Sequence, residues 1–234
     1  MNLELQTIKS DSLYIKVAEQ LKKLINNESI KPGERFPLER ELAEQLGVSR
    51  PTIRGAMIAL ELSGVIEIRT GSGIYVTHQQ NRIGKPVTDK GVGPFEILEI
   101  RYIIEAEACA LAAARITDEQ LAKLRNAINE MEEEKQSNAS ERADQKFHSI
   151  IAQACENSAI SSVVDWLWKL RNESDLNSMF LERIREEGIH PSIQEHKNIL
   201  AALEQRNPER VRTAMKMHLE NATANANAAT HFNK

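Results

Sequence analysis

Four side chains in the second half of the chain have types and spacings suited to metal chemistry: Asp144, His148, His196 and His218. Asp144 and His148 stand four apart in "ADQKFH", which puts both on one helical stripe with Ile151, Ala152 and Cys155. His196, in "IQEHKNIL", shares a stripe with Ile193, Ile199, Leu200 and Leu203, and His218, in "AMKMHLEN", with Val211, Ala214, Met215 and Ala222. Each ionisable group therefore faces the way its apolar neighbours face. Four polar groups buried without partners would cost on the order of several kcal/mol, so convergence on a shared cation is the economical expectation. Three imidazoles and a carboxylate suit a divalent transition metal, zinc first with nickel, iron or manganese as alternatives, and leave positions for water or a ligand. His78, His190 and His231 fall at a strand end, in a loop and in the tail, and receive no role.

Helices must carry these groups to one another. From Phe95 onward the text is helical throughout, with breaks near "ITDEQ", "EKQSNAS", "ACENSA", "EEGIHPS" and "EQRNPER". The last two helices read as an antiparallel hairpin that turns at "EQRN", with Asn207 as cap and Pro208 at the first helical position. His196 lies ten residues before Arg206 and His218 twelve after it. At about 1.5 Å rise per residue their heights differ by about 3 Å, so they can meet across the hairpin. "QQNRIGKPVTDKGVGP" has no apolar period and reads as a linker over 79–94, between a region 1–78 and an all-helical region 95–234.

The first region has a different logic. "SLYIKVAEQLKKLINN" places Leu13, Val17, Leu21, Leu24 and Ile25 at amphipathic spacing, and "LERELAEQLG" places Leu38, Leu42 and Leu46 on one face before Gly47. A third helix follows after "VS", with Ser49 as cap and Pro51 in the first turn. Two short helices joined by a tight turn make a helix-turn-helix, whose second helix enters the major groove. Its first turn offers Arg50 and Arg54 on one face, one able to fork onto a guanine edge and the other onto a phosphate, with Thr52 between them. "VIEIRTGSGIYVTH" then alternates and turns at a glycine-rich tip, so Arg69, Thr70, Gly71, Ser72 and Gly73 form a wing that can approach a sugar-phosphate backbone.

Here the residues carry a resemblance. "FPLERELAEQLGVSRPTIRGAMIALELSGVIEIRTGSGIYV" resembles the winged helix-turn-helix of the GntR superfamily of bacterial transcription regulators. That resemblance implies DNA contacts from Arg40, Arg50, Thr52, Arg54 and Gly71. Leu38 stands where a capping Ser is common, and Gly55 replaces the usual acidic residue, weakening the helix by about 1 kcal/mol relative to Ala. Residues from Phe95 to about Ala226 are similar to the FCD ligand-binding domain of the FadR subfamily, and Asp144, His148, His196 and His218 match its metal ligands. By the same resemblance Arg101 is a candidate clamp for an effector carboxylate; its spacing equally allows an ion pair with Glu105 one turn on, and Arg171 is a further residue that could hold the acid. "WLWKLRNESDLNSMF" and the last helical pair resemble the hexuronate-responsive branch, the UxuR and ExuR types, which makes a sugar acid the expected effector.

Composition bounds these expectations. At 234 residues, 41% hydrophobic and 27% charged, the chain has an ordinary globular balance. No apolar run approaches the roughly 20 residues of a membrane helix, and "MNLELQTIKSDS" shows no signal-peptide pattern, so no membrane partner and a cytoplasmic location are expected. Cys109 and Cys155 read as buried thiols rather than a disulfide framework. The net charge of -4 is not that of a basic DNA-binding protein, and the basic excess from Arg50 to Lys90 is modest, so the DNA expectation rests on the motif. The chain reads as mainly α: a winged helix-turn-helix with a two-stranded wing, followed by a metal- and effector-binding helical bundle. The function this implies is a homodimeric regulator on a palindromic operator, a repressor of sugar-acid catabolism genes released by a small carboxylate, and not an enzyme. The alternative is a metal-dependent hydrolase with a DNA-binding appendage, since three histidines and a carboxylate could also activate water.

Overall fold

The structure is a computed structural model, and it describes residues 12–69, 72–78, 91–133 and 138–229. Most of the expected linker, together with Thr70, Gly71 and His231, lies outside the described residues. The first region holds α1 (Leu13–Asn26), α2 (Glu39–Leu46), α3 (Arg50–Leu62), β1 (Ile66–Arg69) and β2 (Gly73–Val76). The second holds α4 (Pro94–Arg115), α5 (Asp118–Glu133), α6 (Asn138–Ala154), α7 (Ser158–Glu173), α8 (Asp175–Glu186), α9 (Ile193–Glu204) and α10 (Pro208–Ala229).

Local chemistry accounts for the reading helix. Gly47 ends α2 at φ +64°, a left-handed position that costs a glycine nothing. Two residues later Ser49 Oγ accepts from the Thr52 amide at 3.3 Å and caps α3, as its sequence implies. Leu38 offers no capping oxygen, and only half of a capping box forms: its amide donates to Glu41 Oε2 at 3.2 Å. Leu38 is 56% exposed instead of sharing the face of Leu42, because it precedes the helix rather than belonging to it. On α1 the buried face is Tyr14, Val17, Ala18, Leu21 and Ile25, while Leu13 and Leu24 lie at the edge and stay exposed. Gly55 has a packing reason: a Cβ there would stand 3.2 Å from Tyr14 Cβ, so α1 and α3 close against each other where the glycine leaves room. The wing pairs antiparallel, Ile66 with Val76 through Arg69 with Gly73.

In the second region α4 is the central helix. It packs along α10 and also against α6 and α7, and its buried Ala106, Ala108, Ala112 and Ala113 permit close approach. A core built by α4, α5, α6, α9 and α10 includes Leu124, Met131, Phe147, Ile151, Ile199, Leu203, Met215 and Leu219. A second core joins the two regions: Phe95 of α4, Leu176 and Phe180 of α8, and Ala226 of α10 cluster with Tyr14, Ile53 and Met57 of the first. Polar contacts reinforce that junction. Thr52 Oγ1 donates to Glu96 Oε1 at 2.7 Å, and Arg183 donates to Glu61 at 2.5 and 3.2 Å. The reading helix is thus held near its start by α4 and near its end by α8.

Candidate metal centre and DNA-facing residues

The α6 stripe turns Asp144 and His148 inward, α9 supplies His196, and α10 supplies His218 across the hairpin. Arg206 turns that hairpin at φ +51°, and Asn207 Oδ1 accepts from the Arg210 amide at 3.1 Å. All four residues are at most 7% exposed, and their ligating atoms lie within 4.8 Å of one another. The imidazole centroids of His196 and His218 are 4.6 Å apart, and those of His148 and His218 are 5.3 Å apart.

The outer contacts orient each ring. His196 Nδ1 lies 2.8 Å from the Ser192 carbonyl, His218 Nδ1 lies 2.8 Å from Glu195 Oε2, and His148 Nδ1 stands 2.6 Å from Glu105 Oε2. A carbonyl only accepts, so the proton of neutral His196 is assigned to Nδ1, and Nε2 presents a lone pair. That lone pair faces Asp144 Oδ1 at 2.9 Å, and His148 Nε2 stands 3.5 Å from the same oxygen. Neither ring nitrogen of His148 makes a well-aligned hydrogen bond despite the short Glu105 distance. A lone pair facing an ionised carboxylate is repulsive unless positive charge stands between them. These donors fit a divalent transition metal, for the Nδ1 partners leave all three Nε2 atoms free to bind.

The electrostatics agree. Burial works against ionised Asp144, but the imidazoles of His148 and His196 beside it hold its carboxyl well below the usual range. Burial also opposes Glu105, yet Arg101 and His148 bring it down to about 2. Burial depresses His218 to about 4, whereas the carboxylates of Glu105 and Asp144 outweigh burial at His148 and raise it.

A cavity of about 120 Å³ adjoins the quartet. Asp144 and His218 form part of its wall, as do Arg101, Arg171 and Glu195. Arg101 makes the ion pair that its spacing from Glu105 allowed, at 2.7 Å, and it also borders the cavity. Arg171 is held more loosely, 3.7 Å from Asp144 Oδ2, and both guanidiniums stack on Trp168, at 4.1 and 4.9 Å from its ring. Glu105, Glu195 and Trp168 complete the site. Trp168 lies in the quoted motif "WLWKLRNESDLNSMF" and Glu105 is signalled by its spacing from Arg101; Glu195 has no signal beyond its place beside His196.

The expected DNA-facing residues divide. Arg40 and Arg50 have side chains 77% and 58% exposed, and Ser49 and Arg69 are also exposed. Ser72 is exposed and Gly73 half-buried at the wing tip. Glu39 bridges Arg50 and Arg54 at 2.9 and 3.0 Å, and Arg54, with its side chain 14% exposed, lies over the Phe95 ring. Thr52 requires a correction: it is 2% exposed, and its hydroxyl is engaged by Ser49 and Glu96, so in this conformation it presents nothing to DNA. Thr70 and Gly71 lie outside the described residues.

Fold and site together define a winged helix-turn-helix reader joined to a helical domain with a histidine-rich pocket. Residues 96–221 match the FCD domain, and residues 13–76 match the bacterial regulatory proteins of the gntR family. The chain belongs to that family and carries the FCD domain, and it is a DNA-binding transcription regulator. It is 35% identical over 216 residues to the Uxu operon transcriptional regulator of Escherichia coli (strain K12), covering 89% of this chain and 84% of that one. Its identity to the Exu regulon transcriptional regulator of the same organism is 33% over 213 residues, covering 89% and 82%. A solved GntR family transcriptional regulator from Pseudomonas syringae pv. tomato str. DC3000 has a TM-score of 0.51 at 20% identity, over 91% of this chain and 84% of that one, and supports the fold. No helix among the described residues is long and apolar enough to cross a membrane.

Proposed function

We propose that the protein is a metal-dependent repressor that a small carboxylate, a sugar acid of the hexuronate type, releases from a palindromic operator. The observation that carries this reading is the coincidence of three things: a ligand quartet, an arginine-lined cavity beside it, and cavity walls that also grip the reading helix. Asp144, His148, His196 and His218 would hold the ion, zinc first and nickel, iron or manganese otherwise. A bound divalent ion would supply a Lewis-acidic position for one carboxylate oxygen. Arg171 has room to take a second oxygen because, among the described residues, the carboxylate it pairs with stands 3.7 Å away, and Arg101, stacked on Trp168, borders the same space.

Binding there acts on two walls. Pro94 and Ile97 of α4 line the cavity on either side of Glu96, and Phe180 and Ile184 of α8 line it on either side of Arg183. An acid that binds one arrangement of these helices better than another shifts the equilibrium of the reading helix by that difference. Two chains with readers about one DNA turn apart account for a palindromic site, and the DNA target implies a cytoplasmic location. Arg40, Ser49, Arg50, Arg54, Arg69 and the wing tip from Thr70 to Gly73 are the DNA contacts of this reading, and Thr52 joins them only after leaving Glu96. Two relatives are named for the Uxu operon and the Exu regulon, which supports a sugar acid. Membership in a regulator family removes the hydrolase alternative.

The test is an operator-binding titration of the zinc-loaded chain on DNA upstream of its own gene, with a panel of hexuronates. One of them should release the DNA, and a variant with all four quartet residues changed to Ala should no longer respond. An unchanged response from that variant would refute the reading.

A further inference from the structure

The charges around the cavity do not cancel. Arg101, Arg171 and Arg185 bring three guanidiniums to its wall, and Glu141, Asp144 and Glu195 bring three carboxylates. Glu105 adds a fourth carboxylate directly behind, bonded to Arg101 and 2.6 Å from His148. The three quartet histidines are counted as neutral, the form in which each would give its Nε2 lone pair to an ion. Protein groups alone therefore leave one excess negative charge, and a divalent ion at the quartet turns it into one excess positive charge.

Beyond Ser140, Asn177, His190, Ser192 and Asn225, that residual charge meets few polar groups on the wall. Ile97, Leu98, Phe180, Leu181, Ile184 and Ile189 make the rest of the wall largely apolar, and unbalanced charge in such surroundings is costly. The neighbouring ion pairs are already satisfied: Arg185 meets Glu141 at 2.9 Å, and Glu195 accepts from both His218 and Asn221, at 2.8 and 2.7 Å. One negative charge completes the balance, and a second would leave the site with the same imbalance in the opposite sign.

We propose that the effector is a monoanion, one carboxylate on a skeleton with no second ionised group, and that Glu141 and Glu195 set this limit by supplying negative charge of their own. The inference rests on the metal and carboxylate reading above. It goes further in excluding dicarboxylates of the same size and in naming the residues that exclude them.

The test uses two matched pairs of acids on the full chain at saturating zinc: glucuronate with glucarate, and galacturonate with galactarate. Within each pair the carbon skeleton is shared and one carboxylate is added. Calorimetric titration of the parent should favour the monoanion of the better-binding pair by at least about tenfold. Glu195→Gln and Glu141→Gln each remove one negative charge and keep the side-chain shape. Each should shrink that ratio at least about threefold in favour of the dianion, and an unspecific loss of binding would weaken both acids alike and leave the ratio where it was. Should one variant fail to fold, as judged by its thermal melt, the other decides alone. Zinc-dependent binding of both acids with equal affinity, or a ratio unmoved in every folded variant, overturns the charge limit but leaves the effector reading standing. If none of the four acids binds, or binding ignores zinc, the underlying reading falls and takes the charge limit with it.

Discussion

Thr52 Oγ1 and Glu96 Oε1 are joined by a 2.7 Å hydrogen bond that ties the first turn of the DNA-reading helix to the first turn of α4. Glu96 also accepts from the Gly93 amide at 3.1 Å, so one carboxylate both starts α4 and restrains the reader. Replacing Glu96 by Ala frees the Thr52 hydroxyl. Operator affinity should rise about fivefold, the worth of about 1 kcal/mol for such a bond, while folding stability drops by a similar amount. Anisotropy titration on operator DNA together with a urea melt reads both. Operator affinity equal to the parent's or below it would show that the contact does not restrain the reader.

Metal loading is the second expectation. The purified chain should take up about one zinc per molecule, and chelation should lower its melting temperature, because the ion binds the folded quartet and not the dispersed residues of the unfolded chain. Glu105→Gln weakens the hold on His148 without removing a ligand. It should lower zinc affinity about 10- to 100-fold, the range seen for outer partners of ligating histidines. Elemental analysis gives the stoichiometry and a chelator competition the affinity; an affinity matching the parent's would remove Glu105 from any role at the ion.

The metal-free chain should be most stable near pH 6.5, with a separate histidine acting on each side. His218 is depressed by burial from 6.5 to about 4, so between those values the unfolded chain holds more protons than the folded one. Stability therefore falls as pH drops through that window, by on the order of 3 kcal/mol in all. His148 is raised, so its contribution is complete below 6.5 and is lost as pH climbs through its folded value. Glu105, lowered from 4.5 to about 2, acts only further into acid. Urea midpoints from pH 4 to 8 would show the maximum, and in His218→Phe the acid limb should flatten. A metal-free curve that rises steadily with pH above 6.5 would contradict the His148 assignment.

Arg101 and Arg171 both touch Trp168, yet their substitutions should fail in different ways. Arg101→Met leaves buried Glu105 without its 2.7 Å partner and should destabilise the fold by about 3 to 5 kcal/mol. Arg171→Gln removes only a loose 3.7 Å ion pair with Asp144, so the melt should change little while the effector no longer releases DNA. Melts and operator titrations of the two variants separate structural support from ligand contact. Arg171→Gln that still responds to the parent's effector at the parent's concentration would take Arg171 out of the binding site.

The sequence by itself determined which residues face inward. Asp144, His148, His196 and His218 declare themselves because helical periodicity places each among apolar neighbours, and "EQRNPER" marks the turn that lets His196 and His218 meet. Gly47, Ser49 and Pro51 likewise announce the reading helix through local backbone chemistry that needs no distant partner. What lies across helix boundaries has no such period. The hold of Glu195 on His218, the stacking of Arg101 and Arg171 on Trp168, and the burial of Thr52 against Glu96 all depend on how separate helices pack. Tertiary structure alone decided these, because hydrogen bonds and stacked charges form between neighbours in space, and distance along the chain does not reveal which neighbours those will be.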